Sequence, residues 1–119
     1  MKIAITSTEK TLNSQLDPRF GRCQYFIIYN LETNDFECID NINKDAVGGA
    51  GTAAAQLISS YNVSAVISGN FGPNAVMGLQ QLGIKMYSSN TNSIQSIIDD
   101  YRKENLKEIS DATVPGKHR

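Results

Sequence analysis

The sequence predicts an α/β fold: a mixed, five-stranded sheet with helices on both faces and the order β-β-β-α-β-α-β-α. Three observations predict it. β-favouring runs come first, before any helical pattern. Apolar residues then recur three times at helical spacing. Short apolar runs, Val63 to Ser68 and Ile84 to Tyr87, separate those helical stretches. A chain of 119 residues with no repeat and no linker makes one domain with a sizeable core.

In chain order, residues 2–6 form a short apolar strand, and residues 7–22 are polar and irregular, with Asp17-Pro18 as turn chemistry. Tyr25 to Tyr29 is a continuous β-favouring run, which suits a strand covered on both faces. Phe36 to Ile42 alternates, with Phe36, Cys38 and Ile42 on one side, as an edge strand would. Ala54, Leu57, Ile58 and Tyr61 stripe the first helix. Pro73 opens the second, Val76, Leu79 and Leu82 stripe it, and Gly83 ends it. The third is capped near Asn92 or Ser93 and carries Ile94, Ile97, Ile98 and Tyr101. The domain spans residues 1–110, and residues 111–119, with Pro115-Gly116, read as a flexible tail.

Composition excludes several classes. A formal net charge of −1 lacks the basic face that nucleic acid requires. No run is long enough to span a membrane, and Met1 to Ile5 is too short for a signal peptide, so a cytoplasmic protein is expected. Cys23 and Cys38 flank a hairpin turning near Thr33-Asn34-Asp35. That turn sets Cys38 opposite roughly Tyr29 and Cys23 beyond the paired strand, so no disulfide is expected. The single histidine, His118, and the separated acids supply no catalytic triad or carboxylate pair. The chain does not read as an enzyme.

Two glycine-rich loops carry the chemistry. Gly48-Gly49-Ala50-Gly51 opens the first helix, and Gly69-Asn70-Phe71-Gly72-Pro73-Asn74 opens the second. Helix starts offer unpaired N–H groups and the positive end of a dipole, and glycine admits a ligand close to the backbone. Two such loops together make an anion cradle. Neither matches a P-loop or the dinucleotide fingerprint.

Further motifs occur in a fixed order: Asp17-Pro18-Arg19-Phe20-Gly21-Arg22, then Tyr25-Phe26, the two glycine loops, Gly83-Ile84-Lys85-Met86-Tyr87 and the terminal Val114-Pro115-Gly116-Lys117-His118. With this ordered set the chain resembles the dinitrogenase iron–molybdenum cofactor biosynthesis family over nearly its whole length. The resemblance implies a ribonuclease H-like, three-layer fold. It also implies a non-catalytic carrier of an anionic iron–sulfur or molybdenum-containing metal–sulfide cluster, acting with cofactor-assembly proteins or ATPases. A nuclease of that fold needs an acid on its first strand, and Lys2 to Thr6 has none.

A polyanionic cluster needs positive potential, N–H donors and soft ligands. Arg19 and Arg22 are candidates for the charge; Gly48, Gly49, Ala50, Gly51, Asn70, Phe71, Gly72 and Asn74 line the two loops; Cys23 and His118 are the candidate metal ligands. Plain alternatives stand beside each: a surface pair of Arg19 with Asp17, ordinary helix-start glycines, Phe71 and both cysteines in the core, and His118 on an exposed tail. The rival to a carrier is a small interaction module that docks on a partner ATPase or assembly enzyme and binds no cluster. A nucleotide-binding enzyme using the same cradle is a third reading, and the missing general base counts against it.

Overall fold

The computed structural model describes residues 1–115. The first strand, β1 (Lys2–Ser7), lies inside the sheet with both edges paired: β2 (Tyr25–Asn30) pairs with it antiparallel and β4 (Val63–Ser68) parallel. The edge strand β3 (Phe36–Asp40) pairs antiparallel with β2, and β5 (Lys85–Ser88) pairs parallel with β4. A strand that the periodicity does not predict, β6 (Lys107–Ile109), adds antiparallel to β5, so the sheet has six strands in the order β3-β2-β1-β4-β5-β6, not five. Only Ile109 of its three residues is buried, too little apolar content to register as a strand in the sequence.

The helices cover both faces. The first, α1 (Ala50–Ser59), and the second, α2 (Pro73–Gln81), pack on one side, where Ala54, Ile58, Val76 and Leu79 meet Ala4, Phe26, Ile28 and Val66. The third, α3 (Ile94–Arg102), covers the other side, where Ile94, Ile97 and Ile98 meet Ile3, Ile5, Ile27 and Ile67. Alternate residues of β1, β2 and β4 therefore feed two separate cores.

The hairpin register differs from the expected one. Cys38 sits opposite Ile27 rather than Tyr29, because the turn centres one residue earlier, with Asn34 at φ 65° and its amide on the Asn30 carbonyl. On β3 the buried residue is Ile39, and Phe36 and Ile42 are exposed, so the apolar alternation marks the less covered side of this edge.

At the carboxyl ends of β1 and β4 the hydroxyls of Thr6 and Ser68 lie 3.0 Å apart, and Thr6 donates to the Asp17 carbonyl at 2.6 Å. That anchors the long loop after β1 where the sheet's connections diverge, the usual place for a ligand in an open α/β sheet.

Candidate functional site

A cleft of about 720 Å³ opens beyond these strand ends. Three segments proposed from the sequence meet in it. Arg19 and Arg22 come from the loop after β1; Gly48, Gly49, Ala50 and Gly51 from the start of α1; Asn70, Gly72 and Asn74 from the start of α2. The loops interlock through bare backbone. A Cβ on Gly21 would stand 2.9 Å from the Gly51 nitrogen, and one on Gly51 would stand 3.1 Å from the Ala75 Cβ. The arrangement needs glycine at both points simply to close.

Neither helix start facing the cleft is capped by a side chain. The cap of α1 is Gly49, at φ 73°, and that of α2 is Gly72, at φ −81° and ψ 171°. The first-turn amides of Gly51, Thr52, Asn74 and Ala75 therefore have no intrahelical acceptor, and the positive ends of both dipoles point toward the same space. Gly72 stands apart from the other glycines. Its backbone is ordinary extended chain, and a Cβ there would meet nothing within 4 Å. Neither conformation nor packing requires glycine at this position.

The two arginines are held differently. Arg19 is forked onto Asp17, with Nε 3.2 Å from Oδ1 and Nη2 3.2 Å from Oδ2, and the Asp17 carboxylate is buried. The hydrogen bond and charge of Asp17 raise the Arg19 pKa further, so this charge is permanent but largely offset. Arg22 donates through Nη1 to the carbonyls of Lys44 and Ala46, each at 2.8 Å. Its acceptors are neutral, so Arg22 brings a positive charge that no carboxylate offsets among the described residues. It also fixes the loop leading into Gly48.

Cys23 and Phe71 do not join the cleft. Phe71 is fully buried, with its ring 5.4 Å from that of Phe20. Cys23 is fully buried beneath the loop. Burial first, then the nearby Asp17 charge, pushes its thiol well above the ordinary range. The neighbour in sequence, Arg22, reaches away to the 44–46 loop and does not activate it. Cys38 is half-buried on the edge strand, and both cysteines are free. His118 lies outside the described residues.

Residues outside the expected set also line the cleft, among them Phe20, Gly21, Pro18, Val47, Val114 and Pro115. The last two belong to the segment read as a tail. Through residue 115 that segment returns to the second loop, where the Thr113 amide donates to the Phe71 carbonyl at 2.9 Å. The apolar Val114 beside Pro115 was its sequence signal.

The sequence model of the family described as dinitrogenase iron–molybdenum cofactor matches residues 1–104. The chain belongs to that family. An uncharacterized protein of Methanocaldococcus jannaschii is 37% identical over 112 residues, covering 92% of each chain. Among solved structures, the apo form of the orange protein from Desulfovibrio gigas superposes with a TM-score of 0.92 at 26% identity, covering 95% of this chain and 96% of that one. A Thermotoga protein named for NifB and assigned to the DUF35 family gives a TM-score of 0.85 at 35% identity, over 97% and 98% of the two chains. The family membership links this small mixed α/β domain to the dinitrogenase iron–molybdenum cofactor by the family's description. Among the described residues no helix is long and apolar enough to cross a membrane.

Proposed function

We propose that this protein is a non-catalytic carrier: it binds a preformed anionic metal–sulfide cluster in the cleft and hands it to a cofactor-assembly protein or ATPase. The observation that carries the reading is the convergence of two uncapped helix starts on one cleft. Backbone N–H groups at such starts donate to anions without a charged side chain. Arg22 supplies added positive potential, and Gly72 leaves room for a ligand against the backbone. The apolar rim of Val47, Pro73, Val114 and Pro115 excludes water from a labile sulfide.

The donor set narrows the cargo. Among the described residues the cleft offers amide N–H groups and guanidinium, with Cys23 protonated beneath it. Such donors suit a cluster that brings its own sulfide ligands, a thiometallate or molybdenum–iron–sulfide assembly, held by N–H···S contacts and charge. The apo state of the Desulfovibrio relative, a protein named for its colour, supports a ligand-bound counterpart in the family. The ribonuclease H-like class belongs to the same reading, supported by an antiparallel β3-β2-β1 half joined to a parallel β1-β4-β5 half.

The test is an anaerobic titration of the apo-protein with tetrathiomolybdate and with preformed iron–sulfur clusters, followed by gel filtration and metal analysis. Metal that co-migrates with the wild type and is lost from Gly72→Val is the expected result. Protein that retains no metal from either source overturns the carrier reading and favours the interaction-module alternative.

A further inference from the structure

We infer that Thr113 is a positioning residue of the cleft, whose hydroxyl turns the Asn70 side-chain amide so that its N–H₂ end faces the bound anion. This rests on the carrier reading above. Thr113 lies beyond residues 1–104, the part of the chain matched by the family model.

The segment that carries Thr113 is a strap along α2. Its start is tied near the helix end, where Gln80 Nε2 donates to the Ser110 carbonyl at 2.9 Å. Its far part is tied before the helix start, where Thr113 and Phe71 clasp each other. The Thr113 amide donates to the Phe71 carbonyl at 2.9 Å, and the Phe71 amide donates to Thr113 Oγ1 at 2.8 Å. The strap then places Val114 and Pro115 in the cleft wall.

The hydroxyl has one proton to give. Having accepted from the Phe71 amide, Thr113 Oγ1 can donate to Asn70 Oδ1 at 3.3 Å or to the Phe71 carbonyl at 3.4 Å. The Phe71 carbonyl already receives the amides of Thr113 and Val114, the latter at 3.4 Å. Asn70 Oδ1 is the nearer and less occupied acceptor. A relay results, from the Phe71 N–H through the Thr113 O–H to Asn70 Oδ1. With Oδ1 engaged, Nδ2 is the end of the Asn70 amide left for the cleft that Asn70 lines. An anion needs that donor and is repelled by a carbonyl oxygen. Without the hydroxyl, nothing in the strap distinguishes the two ends of the amide.

The experiment uses full-length chain, tetrathiomolybdate as the probe, and amide hydrogen exchange at Phe71 as a readout independent of ligand. Thr113→Val keeps the branched shape and removes the hydroxyl. It should weaken binding about tenfold and speed Phe71 exchange. Thr113→Ser should restore affinity to within about twofold. Asn70→Asp, which removes the donors at constant shape, should weaken binding more than Thr113→Val does. Wild-type affinity in Thr113→Val or in Asn70→Asp overturns the inference, and so does an equal loss in the Ser and Val variants. Failure of the wild type to bind overturns the carrier reading and this role together. Faster Phe71 exchange in Thr113→Val would then identify the clasp as purely structural.

Discussion

The three helices begin in two different ways. At α3, Ser93 caps the start, with its Oγ accepting from the Ser96 amide, and the amides of Ile94 and Gln95 donate to the carbonyls of Ser14 and Leu12. At α1 and α2 the cap is glycine and no side chain reaches the first turn. All three helices run nine or ten residues and pack on the same sheet, so length and context do not explain the contrast. The closed start belongs to the fold, and its donors are consumed within the chain. The open starts share one cleft, and on the carrier reading proposed above their donors serve the anionic ligand.

The comparison can be broken by closing an open start. Gly72 already has the extended backbone of a capping residue, so Gly72→Asp should cap α2 with its own carboxylate. Stability should rise by a few tenths of a kcal/mol, while thiometallate affinity falls by about a hundredfold or more, because the site is both filled and made negative. Equilibrium titration beside a thermal melt reads both. A smaller effect, on stability, should follow from Gly21→Ala, whose methyl would press on the Gly51 backbone. A loss of about 2 kcal/mol in a denaturant melt is expected, which separates the glycines that let the loops pack from Gly72, where neither packing nor a positive φ requires glycine.

Opening the closed start sharpens the contrast. Ser93→Ala should lower stability by about 1 kcal/mol and leave anion affinity unchanged. The smallest effect concerns Cys23. Its thiol pKa in the fold is raised by burial above the ordinary value near 9, so the unfolded chain releases this proton first as pH rises. Stability is therefore unaffected by this group well below pH 9 and falls above it, by about 0.4 kcal/mol at pH 9 itself. The comparison of wild type with Cys23→Ala by denaturant melts across that range checks the sign. In alkylation at pH 8, the half-buried Cys38 should react first and Cys23 only on unfolding.

Local signals were legible in the sequence. The stripe of Ile94, Ile97 and Ile98, the cap near Ser93, the stop at Gly83 and the two glycine loops are each decided by residues a few positions apart. What was not legible depends on distant partners. The three residues of β6 form a strand because β5 offers an edge, and nothing in Lys107-Glu108-Ile109 announces it. The direction of the Cys23 and Phe71 side chains is set by the core formed around Phe20 and Phe26, which adjacency to Arg22 or to Gly72 could not reveal. The role of residues 110–115 arises from bonds to Gln80, Asn70 and Phe71, at least thirty positions away.

The most direct measurement is a side-by-side anaerobic titration of wild type, Gly72→Asp and Ser93→Ala with tetrathiomolybdate, each also melted without ligand. Binding by the wild type and by Ser93→Ala, with its loss in a Gly72→Asp protein at least as stable as wild type, is the result predicted if the open starts are the ligand site. Equal binding by all three, or binding by none, would contradict it.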